Sequence, residues 1–162
     1  DTAGALLEKS AIDGAKLIAN LLEKIAKDNA IEDGVPQEGT ASYTKIITND
    51  LAKIDWNKSC TEIDAFVRGY FPEPTAWTLE NGISLKILEG KPFEVLPDGV
   101  SIDVTGTTCV GTVCSFVKQH GIFIRCGSGF YAITKLQRQG KNSMDYKSFM
   151  NGARDFIGSV LV

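Results

Sequence analysis

Apolar residues recur every three or four positions through the first 28 residues of the chain. Those that share one helical face are Leu7, Ala11, Ile18, Leu22 and Ile25, with Leu6, Leu17 and Leu21 beside them. This spacing predicts an amphipathic helix over residues 2–28, with Asp1 or Thr2 as its N-cap. An apolar stripe of this width predicts that the helix packs against a partner surface.

The periodicity stops after this helix. Asp33-Gly34 and Pro36 interrupt it, and residues 31–58 are predicted to be a linker. A connection of about 30 residues is long for a compact domain, which favours a segment that joins two domains. Helical spacing returns at Ser59, which can form a capping box with Glu62.

Short apolar runs separated by turn residues follow from Trp77 to Gln137. Asn81-Gly82 predicts a tight hairpin turn between the first two runs. The predicted strands are residues 77–79, 83–87, 112–117, 122–126 and 130–136. Several short strands at this spacing predict a small barrel. Asp145 is the predicted N-cap of a short final helix.

Composition and charge narrow the function classes. The chain has no apolar run of about 18 residues and no signal peptide, so we expect a cytoplasmic protein without a membrane span. The net charge of −3 gives no general argument for nucleic-acid binding. Basic residues nevertheless concentrate near the C-terminus: Lys135, Arg138, Lys141, Lys147 and Arg154.

The cysteines and the single histidine carry little functional signal. With no secretory signal, Cys60, Cys109, Cys114 and Cys126 are interpreted as reduced, buried thiols. A zinc site that joins them to His120 is disfavoured because no Cys-x-x-Cys pair occurs. His120 lies in a predicted hairpin tip, exposed, and its pairing with Cys114 or Cys126 as a nucleophile is the weaker alternative. Gly127-Ser128-Gly129 predicts a turn before a strand rather than a phosphate loop.

The most specific motif lies in residues 133–152, where the shared positions are Leu136, Gln137, Gly140, Lys141, Met144, Phe149, Met150, Asn151 and Gly152. It resembles the closing signature of methionyl-tRNA formyltransferases, Leu-Gln-x-x-Gly-Lys-x-x-Met followed by Phe-Leu-Asn-Gly. Residues 54–56, Ile-Asp-Trp, resemble the same family. So do residues 67–78, although Phe71 replaces an Asn and Glu73 replaces a Trp.

The resemblance implies an α+β fold class, in which an N-terminal amphipathic helix and linker precede a small OB-like β-barrel with flanking short helices. Residues 1–30 would be the terminal helix of a missing N-terminal formyltransferase domain, and residues 31–58 the linker. Residues 59–162 would form the C-terminal OB-like barrel domain. The missing domain is then an expected partner of this chain.

The resemblance also implies a function. The parent enzyme would transfer a formyl group from 10-formyltetrahydrofolate to the methionine of initiator tRNA, and this chain would bind that methionyl-tRNA. The family's catalytic Asn, His and Asp have no counterpart here, so we expect no catalytic residue, metal or cofactor, and no formyl transfer by this chain alone. The candidates for contact with the RNA backbone are Lys45, Lys53, Arg68, Arg138 and Lys141.

Four alternatives stay open. The chain could be the related domain of a sugar-nucleotide formyltransferase, although the Leu-Gln-x-x-Gly-Lys-x-x-Met element favours the tRNA enzyme. It could be a free-standing RNA-binding barrel module, although the amphipathic helix favours a larger protein. The basic residues could also be ordinary solvated surface, and Tyr70, Phe71 and Trp77 are favoured as core residues over base-stacking ones.

Overall fold

The computed structural model describes residues 1–28, 34–102 and 109–162. The predicted first helix is confirmed as α1, Ala3–Asp28. None of its 26 residues is buried, and its leucines, Ile12 and Ile18 are more than half exposed, while Ile25 is half-buried. Its N-terminus is attached to the rest of the chain, because the Gly4 N–H donates to the Phe71 carbonyl at 3.0 Å. The described residues therefore hold one end of α1 and leave its apolar face uncovered.

The linker region divides into an exposed part and a buried part. Residues 34–48 have no regular secondary structure and are exposed, and a 3₁₀ turn follows at Asn49–Ala52. Ala52, Ile54 and Trp56 are then buried. The Trp56 indole N–H donates to the Thr78 hydroxyl at 3.0 Å, so this short segment belongs to the hydrophobic core.

The second helix begins as the sequence predicts. In α2, Cys60–Gly69, the Ser59 hydroxyl accepts from the Glu62 N–H, and the Glu62 carboxylate accepts from the Ser59 N–H at 3.0 Å. The capping box is thereby confirmed. The Ser59 N–H and hydroxyl both donate to the Glu62 carboxylate, and these two hydrogen bonds hold the pKa of Glu62 below its ordinary value of 4.5. The helix buries Cys60, Ile63 and Val67 against the sheet.

One antiparallel sheet of six strands forms the centre of the protein. Its strands are β1 (Trp77–Glu80), β2 (Ile83–Phe93), β3 (Val113–Val117), β4 (Gly121–Arg125), β5 (Phe130–Arg138) and β6 (Met144–Asp145). The order is β1-β2-β5-β4-β3, and β6 pairs with β5. The hairpin turn between β1 and β2 is confirmed, because Asn81 and Gly82 both have positive φ, 49° and 82°.

The sheet curls into a half-barrel whose two edge strands, β1 and β3, are joined by the last residues of the chain. Leu161 forms a β-bridge with Glu80, and Val160 forms one with Thr112. The Leu161 N–H donates to the Gly111 carbonyl at 2.9 Å, and the Leu79 N–H donates to the Val162 carbonyl at 2.8 Å. The prediction of a barrel-like α+β domain is confirmed, and this link through residues 158–162 was not predicted.

The turn between β4 and β5 attaches the segment before α2 to the sheet. The Gly127 N–H donates to the Trp56 carbonyl at 2.9 Å, and the Cys60 N–H donates to the Ser128 carbonyl at 2.9 Å. A Cβ on Gly127 would collide with the carbonyl oxygen of Asn57. Gly-Ser-Gly is therefore a turn, as predicted, and glycine is needed there because two backbones meet.

Successive side chains of a strand point to opposite faces of the sheet, and each face carries its own apolar cluster. The main core lies between the sheet and α2 and contains Leu85, Ile87, Ile133 and Leu136. Phe123, Phe130 and Ala132 form a smaller cluster on the opposite face.

The final helix is α3 (Tyr146–Gly152). Asp145 is its N-cap, as predicted, because the Asp145 carboxylate accepts from the N–H groups of Lys147 and Ser148.

Candidate nucleic-acid interface

The predicted RNA-contact residues fall on different elements. Lys45 lies in the exposed linker and Lys53 directly after the 3₁₀ turn. Arg68 lies in α2, Arg138 ends β5, and Lys141 lies in the turn that follows. The environments of these five side chains divide them into two groups, according to whether a carboxylate already binds the charge.

Arg138 belongs to the paired group. Its guanidinium binds the Glu80 carboxylate through Nε at 3.0 Å and through Nη2 at 2.7 Å and 2.8 Å. The Glu80 side chain is only 9% exposed, and that of Arg138 is 34% exposed. The guanidinium also lies 4.8 Å from the centre of the Phe149 ring. Arg138 thus neutralises a nearly buried carboxylate and packs on an aromatic side chain.

Arg68 is also engaged within the protein. Its Nε donates to the Asp64 carboxylate at 2.7 Å, one helical turn earlier in α2. Its Nη1 donates to the Asp1 carbonyl at 3.1 Å. Arg68 therefore helps to attach the N-terminus of α1 to α2.

The three predicted lysines form the second group. Among the residues that the structure describes, no carboxylate lies within ion-pair distance of Lys45, Lys53 or Lys141. All three are exposed. The Lys53 ammonium lies 5.8 Å from the centre of the Trp77 ring, and the Trp77 indole N–H donates to the Asn49 carbonyl at 2.7 Å. Trp77 is half-buried and thus holds Lys53 and the 3₁₀ turn at the edge of the sheet.

Lys86 has the same properties, and sequence reasoning did not include it among the candidates. It is exposed, and it lies opposite Trp77 in the β1–β2 pair and opposite Gln137 in the β2–β5 pair. The alternation Leu85-Lys86-Ile87 places it on the outer face of β2. That alternation was visible in the sequence, but its neighbours follow from strand register.

Lys86 lines an open groove of about 430 Å³ with Gln137, Arg138 and Gly140. A second depression of about 260 Å³ lies between Lys141, Met144 and Phe149. Arg138 borders both. These are shallow surface features beside β5, with no enclosed cavity of the kind that surrounds a small substrate.

The remaining basic residues near the C-terminus either contact other side chains of the protein or have a side chain that lies outside the described residues. Lys135 pairs with Glu89 at 3.6 Å. The Lys147 ammonium lies 5.5 Å from the centre of the Tyr146 ring. The side chain of Arg154 lies outside the described residues.

The groups considered for catalysis do not form a reactive pair. His120 lies in the predicted turn but is half-buried, not exposed, with its ring 5.6 Å from that of Phe93. Burial raises the pKa of the Cys126 thiol to about 12 and raises that of Cys114 as well. A thiol with a raised pKa is a poor nucleophile at neutral pH. The prediction of buried thiols holds for Cys60 and Cys126, whereas Cys114 is only half-buried and Cys109 is exposed.

Within residues 1–28, 34–102 and 109–162, no group of three or more His, Cys, Asp or Glu side chains is arranged to hold a metal ion. No helix in these ranges combines the length and the apolar composition that a membrane span requires.

Fold and surface together describe an α+β half-barrel domain that presents lysines along one sheet edge. The family model for the formyl transferase C-terminal domain matches residues 46–154. The chain therefore belongs to this family, and the resemblance recognised in residues 133–152 is confirmed.

Curated relatives extend the match beyond that domain. The methionyl-tRNA formyltransferase of Treponema denticola is 30% identical over 158 residues, which cover 97% of this chain and 47% of the relative. That of Jannaschia sp. is 32% identical over 161 residues, which cover 99% of this chain and 47% of the relative. The chain thus spans less than half of the length of these relatives.

A solved structure shares the fold. HypX from Aquifex aeolicus, in a multiply substituted variant, superposes with a TM-score of 0.56 at 16% identity, over 85% of this chain and 23% of that one.

Proposed function

We propose that this chain is the tRNA-binding part of a methionyl-tRNA formyltransferase. The parent enzyme would formylate the methionine of initiator tRNA with 10-formyltetrahydrofolate in the cytoplasm. In this proposal residues 1–30 belong to the formyltransferase domain, residues 31–58 link the domains, and residues 59–162 form a barrel of the OB type. The chain orients the RNA, and orientation alone can lower a reaction barrier by several kcal/mol.

The exposed lysines without acidic partners carry this proposal. A carboxylate that already binds a cation competes with an RNA phosphate for it, so Lys45, Lys53 and Lys141 are the stronger members of the predicted set. Arg68 and Arg138 remain in the proposal as secondary contacts, because each would have to share its guanidinium with a carboxylate. Phosphate contacts of this kind add affinity without reading sequence.

The apolar face of α1 supports the second proposed partner. Leu7, Leu17, Ile18 and Leu22 are each at least 60% exposed. Continuous apolar area of this kind is stabilised when another surface covers it. We assign the missing formyltransferase domain as that surface.

The test is a titration of the purified chain with initiator methionyl-tRNA at several salt concentrations. Three phosphate contacts should make log K fall with log[salt] at a slope of about −2 to −3, by analogy with about −0.9 per contact on duplex DNA. A UDP-sugar serves as the competing ligand. Binding of the UDP-sugar in place of tRNA would favour the sugar-nucleotide enzyme, and no salt-sensitive tRNA binding would refute the proposal.

A further inference from the structure

We propose that the RNA backbone crosses the outer face of the β1–β2–β5 edge and that Lys86 is its central contact. We call this surface the basic row: Lys53, Trp77, Lys86, Gln137 and Lys141. The inference rests on the proposed function, and it adds a residue and a path that the predicted contact set did not contain.

Strand register places the members of the basic row side by side. Lys53 forms a parallel bridge with Trp77, Trp77 is opposite Lys86, and Lys86 is opposite Gln137. Residues that are directly opposite in neighbouring strands project on the same face. Adjacent strands lie about 4.8 Å apart, so the row from Lys53 to Gln137 runs for about 15 Å across the strands. Lys141 lies just beyond, where its carbonyl accepts from the Gln137 side-chain amide at 2.7 Å.

The charge on the basic row is available to a ligand. Within the described part of the chain, no carboxylate lies within ion-pair distance of Lys53, Lys86 or Lys141. Glu80 lies near one end, but its carboxylate is bound by Arg138. Glu89 lies further along β2 and pairs with Lys135. The acids of these strands are thus bound to other cations. The exposed Asp50 and Asp55 lie near Lys53 in the sequence but form no ion pair with it.

Two uncharged members give the row a defined geometry. Trp77 is a positioning residue, because its indole N–H binds the Asn49 carbonyl while its ring lies 5.8 Å from the Lys53 ammonium. Gln137 ties the turn that carries Lys141 to the end of β5. Lysine side chains on a fixed platform lose less entropy on binding than lysines in a mobile segment.

The shape of the surface selects a polyanion. The cations are spread over an open strip, and the adjoining groove of about 430 Å³ is open to solvent. A mononucleotide or a sugar nucleotide presents its charges at one point, whereas an RNA strand presents phosphates in succession. A row of separated lysines beside a half-buried tryptophan therefore fits an RNA backbone.

The experiment compares K86A with K118A by titration with initiator methionyl-tRNA, at low and moderate salt. Lys118 is also an exposed lysine, in the turn after β3 at the opposite edge of the sheet order, and it is the matched control. We expect K86A to weaken binding about three- to tenfold and to reduce the salt slope by about one, as loss of one phosphate contact should. K118A should leave both quantities unchanged.

Both variants should stay folded, since neither side chain is buried, and thermal unfolding checks this. If the unmodified chain binds tRNA and K86A behaves like K118A, the basic row is wrong and the proposed function stands. If the unmodified chain does not bind tRNA at any salt concentration, the proposed function is wrong, and the basic row, which rests on it, is wrong as well. Equal losses in K86A and K118A would indicate diffuse attraction and would also overturn the assignment of Lys86.

Discussion

Whether a cationic residue can serve a ligand depends on what its charge already binds. Arg138 and Lys141 are three positions apart in the same motif, and sequence reasoning gave them the same role. In the structure Arg138 binds Glu80 through two nitrogens, whereas Lys141 extends from an exposed turn. The first residue is largely committed to stability, and the second is available for binding.

Replacing Arg138 should therefore destabilise the fold. R138A would leave the nearly buried Glu80 carboxylate without its partner, and we expect the free energy of unfolding to fall by about 2–4 kcal/mol. R138K keeps the charge but loses the two-point geometry and the contact with Phe149, so it should lose less. Urea denaturation measures both. A stable R138A variant with weakened tRNA binding would show that Arg138 acts mainly on RNA.

The hydroxyl of Tyr131 is a buried polar group in the hydrophobic core. Its side chain is fully buried, and its hydroxyl has no hydrogen-bond partner among the described residues. Burial raises the pKa of this hydroxyl, so it stays protonated. A buried polar group without a partner is destabilising, because its hydration is lost and not replaced.

Y131F should therefore stabilise the protein, by about 1 kcal/mol. That corresponds to a rise in Tm of about 2–4 °C for a chain of this length. Y146F is the matched control, because the Tyr146 hydroxyl donates to the Lys118 carbonyl at 2.8 Å and its removal should be neutral or destabilising. Calorimetry measures the Tm of both variants. A lower Tm for Y131F than for the unmodified chain would mean that the Tyr131 hydroxyl has a hydrogen-bond partner in solution.

At the scale of elements, the last five residues form a short segment that pairs with both edges of the sheet. They link β1 to β3 by backbone hydrogen bonds, and the Leu161 side chain enters the core with 1% exposure. No strand pattern marks these residues, because a segment with two bridges is too short to show alternation.

L161A tests this link. Loss of a buried leucine side chain should lower the free energy of unfolding by about 2–5 kcal/mol. V160A, next to it and 42% exposed, should change stability by less than about 0.5 kcal/mol. Equal effects of the two substitutions in urea denaturation would show that the terminal segment does not support the barrel.

The two packed helices make the fold sensitive to acid. Hydrogen bonds from Ser148 hold the pKa of Asp145 below its ordinary value of 3.8, as those from Ser59 do for Glu62. A carboxylate with a lowered folded-state pKa stabilises the fold above its ordinary pKa, and this contribution is lost as pH falls through the folded value.

Stability should therefore decline as pH drops below about 4. D145N removes one of these titrations, so its loss of stability between neutral and acidic pH should be smaller than that of the unmodified chain. D155N changes an exposed aspartate of the following turn and is the control. Urea midpoints measured over the pH range would contradict this account if all three proteins declined in parallel.

At the scale of the whole molecule, neither predicted nucleophile pair, His120 with Cys114 or His120 with Cys126, offers a thiol with a lowered pKa. His120 packs against Phe93, and burial raises the pKa of the Cys126 and Cys114 thiols. We therefore predict no formyl transfer by this chain alone when it is mixed with the folate donor and charged tRNA. A full-length relative under the same conditions is the positive control, and turnover by the isolated chain would overturn the division of labour that we propose.

Local chemistry explains which features could be predicted. The capping box at Ser59, the Asn81-Gly82 turn and the N-cap at Asp145 each depend on residues within three positions of one another. The periodicity of α1 also predicted its bounds closely. Neighbours across strands could not be predicted in the same way, because Lys86 and Trp77 meet only through register.

The sequence by itself determined the helices, the turns and the approximate positions of the strands, and its motifs determined its family. These features depend on residues that are close together along the chain. Tertiary structure decided how the barrel edges are joined and which cations keep their charge available. Glu80 and Arg138 are far apart in sequence, as are Gly111 and Leu161, and only folding brings them into contact. Long-range pairing thus decided which basic residues stabilise the fold and which keep their charge exposed.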